Sequence, residues 1–308
     1  MLSRTLQRSA LTGAAALLAL GTVAACSASP ADTSGRTSVV TGFYPLQFVA
    51  EKVGGPDTTV VNLAQPGAEP HDMELSPVQV GQVADAGLVL YLKGFQPQLD
   101  AAIEQNAADR AFDAGTVTPP ATGPNHSGAV DEDHAGAPDP HVWLDPTRLA
   151  AITGSLANRL AQADPEHAAD YARRGNELIA ELNKLDGEFA AGLKNCQRRE
   201  IVTSHAAFGY LADRYQLKQI ALTGLTPEAE PTPQQIAAVA AEARKYGATT
   251  IFFETLVSPK VAETLAAETG AKTAVLDPLE GLAEGGSGDY LSVMRANLAT
   301  LRTALGCS

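Results

Sequence analysis

Residues 164–193 read DPEHAADYARRGNELIAELNKLDGEFAAGL, and their reading decides the architecture. Asp164-Pro165 is a helix start, an N-capping acid followed by proline in the first turn. From 166 to 193 there is no further proline, and the glycines at 175, 187 and 192 lower helix propensity without forcing a break. A helix of roughly thirty residues spans roughly 40 Å. That is long for one domain and suits a rigid rod joining two.

On either side of this stretch, β-branched runs alternate with amphipathic helical patterns. Before it, strands are expected at 37–41, 58–63 and 88–92, with helices at 45–53, 77–86 and 98–106. Residues 117–140 interrupt the alternation with Pro, Gly, Asp and two His, a flexible acidic loop, and Asp145-Pro146 then opens another helix. After the long helix, strands are expected at 201–204, 218–222, 249–253 and 272–276. Helices are expected at 208–215, 234–246, 258–269 and 289–305. Alternating βα units imply a mostly parallel sheet covered by helices. The expected fold is α/β: two lobes, 37–164 and 195–308, each with a mostly parallel sheet flanked by helices, joined by one long helix at 165–194.

The first 25 residues are an address. Arg4 and Arg8 stand among residues 1–9 without an acid, and 10–25 is uncharged and rich in Ala and Leu. This is the basic and apolar pattern of an export signal, too short for a membrane span. It closes on Val23-Ala24-Ala25-Cys26, which resembles a bacterial lipoprotein cleavage box, although Val stands where that pattern prefers Leu. Under that reading Cys26 is acylated, 26–36 is a tether, and the protein is anchored in the lipid bilayer on the extracytoplasmic face. A plain signal peptide cut after Ala25 is the alternative.

Composition narrows the partners. The chain has 35 Asp+Glu against 22 Lys+Arg, and removing Arg4 and Arg8 with the leader leaves 20 basic residues, so −13 becomes −15. Nucleic acid needs a basic face, and aromatics at 5% leave little for base stacking. At 45% hydrophobic the chain can pack cores, and no stretch after the leader is apolar for long enough to cross a bilayer. Of three cysteines, Cys196 and Cys307 remain after Cys26. In an exported protein such a pair is expected to form a disulfide, contributing about 4–5 kcal/mol in the chain-entropy model, with free buried thiols as the alternative.

The chemistry sits at strand ends. His71 lies in Gly67-Ala68-Glu69-Pro70-His71-Asp72, beyond the second strand, and His141 in Asp139-Pro140-His141-Val142-Trp143-Leu144-Asp145-Pro146, before a helix. His205 follows the strand at 201–204, and Asp277 follows the strand at 272–276. Ligands of open α/β sheets bind beyond the carboxyl ends of strands. Three imidazoles and one carboxylate form a tetrahedral set suited to Zn²⁺. Each residue alone also has a plain reading, a solvated loop histidine or a turn-capping aspartate, and the spacing forms no short metal motif. Glu254, ending another strand, is a rival to Asp277 or a hydrogen-bond partner of a ligating imidazole, a role also open to Glu69 and Asp72.

Four segments together, 67–77, 141–146, Thr203-Ser204-His205-Ala206-Ala207-Phe208-Gly209-Tyr210 and Leu276-Asp277-Pro278-Leu279, resemble the zinc-binding lipoproteins of bacterial ABC importers, the ZnuA-like family. The resemblance covers 37–308 and implies a metal held between two α/β lobes. Carried over, His71, His141 and His205 are the imidazole ligands and Asp277 matches the carboxylate position. The manganese-binding branch has Glu where His205 stands, and nitrogen in place of hard oxygen favours zinc. Many zinc members carry a long His-rich loop. Here 119–140 has only His126 and His134, beside Asp131-Glu132-Asp133, either a reduced metal-collecting loop or a solvated linker.

The function so implied is capture of Zn²⁺ outside the membrane and delivery to an ABC-type permease, by a monomer that is no enzyme. The alternatives are a manganese-binding relative and an exported zinc hydrolase, with Glu254 as base or Ser204 as nucleophile. Against the hydrolase, no GxSxG surrounds Ser204 and no HExxH is present.

Overall fold

The computed structural model describes residues 35–119, 121, 125, 138–227, 229–283, 285 and 288–308. Cys26, His126 and His134 lie outside the described residues, as does the cleavage site.

The first half runs β1 (Thr37–Thr41), α1 (Tyr44–Gly54), β2 (Thr58–Asn62), α2 (Pro77–Asp85), β3 (Leu88–Tyr91), α3 (Pro97–Asn106) and β4 (Ala111–Asp113). Its sheet has the order β2-β1-β3-β4 with every pair parallel. The second half runs β5 (Glu200–Thr203), α6 (Gly209–Arg214), β6 (Lys218–Ala221), α7 (Pro233–Lys245), β7 (Thr250–Phe253), α8 (Lys260–Thr269), β8 (Lys272–Val275) and α9 (Tyr290–Leu305). Its order, β6-β5-β7-β8, repeats the first topology, again all parallel. Strand β4 has only three residues, too few for an alternation to register, and was not anticipated from the sequence.

The helix starts follow local chemistry. Ser76 and Thr232 each form a capping box with a glutamine three residues on, and Asp289 forms one with Ser292. Asp145 caps α4 (Pro146–Ala163), its carboxylate accepting from the Thr147 amide, with proline in the first turn.

The long helix differs from expectation at its start. Pro165–His167 form a 3₁₀ turn, and α5 proper spans Ala168–Gly192, about 37 Å at 1.5 Å per residue. It is not a free rod. Tyr171, Gly175, Leu178, Leu182, Leu185 and Phe189 form one buried stripe, and the helix packs on α4, α1 and α9. Gly175 is required there, because a Cβ would stand 2.9 Å from that of Ala157. The largest apolar cluster runs through both halves, from Val39 and Phe43 to Leu211, Leu276 and Tyr290. Such a packed seam resists wide hinge opening.

A disulfide joins Cys196 to Cys307, closing a separation of 111 residues and tying the start of the second half to the end of α9. Among the described residues, no helix is long and apolar enough to cross a membrane.

Candidate metal centre

Three of the expected residues meet at the seam between the halves. His71 sits in the loop after β2, His141 just before the 3₁₀ turn Val142–Leu144, and His205 two residues past β5. All three are buried, His141 and His205 completely. The fourth member is Glu280, 2% exposed. Its Oε1 lies 3.3 Å from His71 Nε2, 3.0 Å from His141 Nε2 and 3.1 Å from His205 Nε2, and the last two nitrogens are 3.4 Å apart. One ligand atom from each of the four residues lies within 4.8 Å of the others. Zn–N and Zn–O bonds of about 2.0–2.1 Å give a tetrahedron with edges of about 3.3 Å. The three separations from Glu280 and that between His141 and His205 match that figure, and the donors are the borderline set that zinc prefers.

The imidazoles are aimed from behind. His141 Nδ1 lies 2.7 Å from Asp139 Oδ1, which also accepts the His141 amide at 2.8 Å. His205 Nδ1 lies 2.6 Å from Glu254 Oε1, and the same oxygen accepts the Ser204 hydroxyl. A carboxylate on Nδ1 fixes the proton there and leaves Nε2 for the metal. His71 is oriented differently. Its amide donates to Glu69 Oε2 at 2.9 Å, and its ring forms a T-shaped pair with that of Phe95, centroids 4.5 Å apart. Glu69 Oε1 stands 3.8 Å from His71 Nε2, at the margin of the cluster.

These placements set the charges. Burial lowers the pKa of His71, with Glu280 opposing only in part. Burial acts in the same direction on His141 and His205, but Asp139 and Glu280 outweigh it at the first, and Glu254 and Glu280 at the second. His141 is therefore raised and His205 raised well above the ordinary imidazole value. Burial alone would raise Glu280, yet His205 and the hydrogen bonds from the three imidazoles hold it well below the usual carboxylate range.

The structure corrects the carboxylate. Asp277 is not in the cluster. Its Oδ1 accepts from the Leu279 amide at 2.8 Å and its Oδ2 from Thr255 Oγ1 at 3.0 Å. Asn297 clasps its backbone from both sides. Asp277 thereby closes a turn in which Leu279 takes φ 59, and that turn carries Glu280 into the site. Glu254 is likewise no member of the cluster but the support of His205. Sequence reasoning passed over Asp139 and Glu280. The first had a signal, an acid two residues before a histidine across a proline. The second had only an acid following a turn.

Comparison with known proteins follows the same lines. The family model described as "ZnuA: Zinc-uptake complex component A periplasmic" matches residues 39–304. "Zinc-binding protein AdcA" of Streptococcus pyogenes serotype M1 is 37% identical over 287 residues, covering 87% of this chain and 56% of that protein. The chain thus spans little more than half the length of that relative. "High-affinity zinc uptake system protein ZnuA" of Bacillus subtilis (strain 168) is 33% identical over 306 residues, covering 92% of this chain and 93% of that protein. Among solved structures, Zn(II)-bound AdcA from Streptococcus pneumoniae superposes with TM-score 0.75 at 31% identity, covering 88% of this chain and 58% of that one.

Proposed function

The chain belongs to the ZnuA family of zinc-uptake components, and we propose that it captures Zn²⁺ on the extracytoplasmic side and delivers it to the permease of an ABC importer. The observation that carries this reading is the convergence of four buried donors from both halves of the chain on one point: His71, His141, His205 and Glu280. In this reading those four are the ligands, and Asp139 and Glu254 orient two of them. The protein is a monomer held to the membrane by an acylated Cys26 and the tether 26–36, and it works as lobes 37–164 and 195–308 about the helix 165–194.

Selectivity for zinc over manganese is supported by the three nitrogen donors, since manganese prefers oxygen. The hydrolase alternative is disfavoured by the full set of four donors. Four donors from the chain complete a tetrahedron, whereas a catalytic zinc keeps a position for water. Ser204 is engaged with Glu254. Delivery needs only a small displacement, because loss of one donor weakens the hold on the ion.

Calorimetric titration of the metal-stripped protein with Zn²⁺ and Mn²⁺, repeated with His205→Ala, tests the reading. One tight zinc site that collapses in the variant is expected. Equal preference for manganese, or no zinc binding, overturns it.

A further inference from the structure

We propose that Tyr210 is a positioning residue for this site: from the second half of the chain, its hydroxyl holds the Asp139 carbonyl and thereby sets the orientation of His141. The proposal rests on the zinc-capture reading above.

Tyr210 lies in the first turn of α6 and is 3% exposed. Its hydroxyl donates to Asp139 O at 2.9 Å and accepts the Ala121 amide. Asp139 in turn donates its amide to Ala121 O at 3.1 Å. Ala121 and Asp139 are 18 positions apart in the chain, and one phenol hydroxyl joins them. Arg148 reinforces the arrangement, its guanidinium 4.5 Å from the Tyr210 ring centroid and donating to Pro119 O at 3.1 Å. Asn125 extends the attachment, accepting from Gln219 through its side chain and its carbonyl.

The consequence for the metal runs through one residue. Asp139 is fully buried, and its Oδ1 is the atom that takes both the amide and Nδ1 of His141. If the Asp139 peptide rotates, that oxygen moves, and His141 Nε2 leaves its place in the tetrahedron. A hydrogen bond that pins the peptide therefore pins the ligand. His205 lies four residues before α6, on the segment that leads into it, so one short stretch of chain bears on histidines from both halves.

The test uses the full chain and the variant Tyr210→Phe, which removes one oxygen and keeps the ring beside Arg148. Tyr215→Phe is the control, since its hydroxyl donates to Asp186, away from the site. Partners behind a ligating imidazole are worth about 10–100-fold in metal affinity, and one link further out the lower end applies. We expect Tyr210→Phe to raise the zinc Kd about tenfold. It should also alter the visible absorption of bound Co²⁺, which reports ligand geometry, while Tyr215→Phe changes neither. In an Asp139→Asn background the added effect of Tyr210→Phe should shrink to less than about twofold, because coupled residues are not additive. An unchanged Kd and cobalt spectrum overturns the proposal. So does an undiminished effect beside Asp139→Asn, or loss of the far-UV helical signal in metal-free Tyr210→Phe, each of which marks a merely structural role. Failure of the parent and of Tyr215→Phe to bind zinc would strike the zinc-capture reading instead.

Discussion

Asp277 Oδ1 accepts the amide of Leu279 at 2.8 Å, and this contact holds a buried leucine at φ 59 immediately before Glu280. A left-handed conformation costs a residue with a β-carbon roughly 1–2 kcal/mol. It persists where the surroundings over-determine it. Here Thr255 holds the other Asp277 oxygen, and Trp143 Nε1 donates to Pro278 O at 2.7 Å from the opposite half of the chain. Trp143 is itself pinned by Tyr290, whose hydroxyl donates to its carbonyl at 2.6 Å.

Asp277 and Glu280 should therefore separate by mutation. Glu280→Ala removes a donor and is expected to weaken zinc binding by more than about 100-fold, above the range for outer partners. Asp277→Ala loosens only the turn and is expected to cost about tenfold. Zinc titration of both variants ranks them, and a larger loss for Asp277→Ala would return that residue to the ligand set.

The carboxylate behind His205 carries its own prediction. Glu254→Gln keeps the shape but removes the charge that fixes the Nδ1 proton, and a loss of about 10–100-fold in zinc affinity is expected. Ser204→Ala should matter far less, since it leaves the bond between Glu254 and His205 in place. Equal losses for the two would mean that Glu254 does not act through the imidazole.

The response to pH follows from the raised histidines. In the metal-free protein His141 and His205 hold protons above the ordinary imidazole pKa of about 6.5. Zinc must displace those protons, so affinity is expected to fall as pH drops and binding to release protons. Calorimetry in buffers of different ionisation heat counts them. The sign for the metal-free fold is the reverse. Pairing of these imidazoles with Asp139, Glu254 and Glu280 stabilises it fully below about pH 6.5, and that contribution is lost as pH rises through the raised values. Zinc affinity that is flat from pH 5 to 8 would contradict both statements.

The disulfide is a separate support. It closes a separation of 111 residues at the outer end of α9, with backbone bonds from Gln197 and Arg198 to Leu305 beside it. Cys196→Ser with Cys307→Ser is expected to cost about 2–5 kcal/mol of stability, read as a lower thermal midpoint. Zinc affinity at a temperature where the variant stays folded should match the parent. A large loss of affinity there would tie the far end of α9 to the site.

The α/β alternation, the parallel sheets, the long helix and the three histidines of the cluster were all legible in the sequence. Each is written in local terms: hydrophobic period, capping residues, and histidines in the loops that follow strands or precede a helix. Where the fourth donor comes from was decided only by tertiary structure. Asp277 and Glu280 are three residues apart, and nothing local says which one joins the three histidines. That choice depends on a left-handed Leu279 sustained by Trp143 from the other half, a contact across 135 positions of chain. The supports of the imidazoles are also long-range, Glu254 reaching His205 across 49 positions and Tyr210 reaching Asp139 across 71. A hydrogen bond aims a side chain through space, and periodicity along the chain does not encode it.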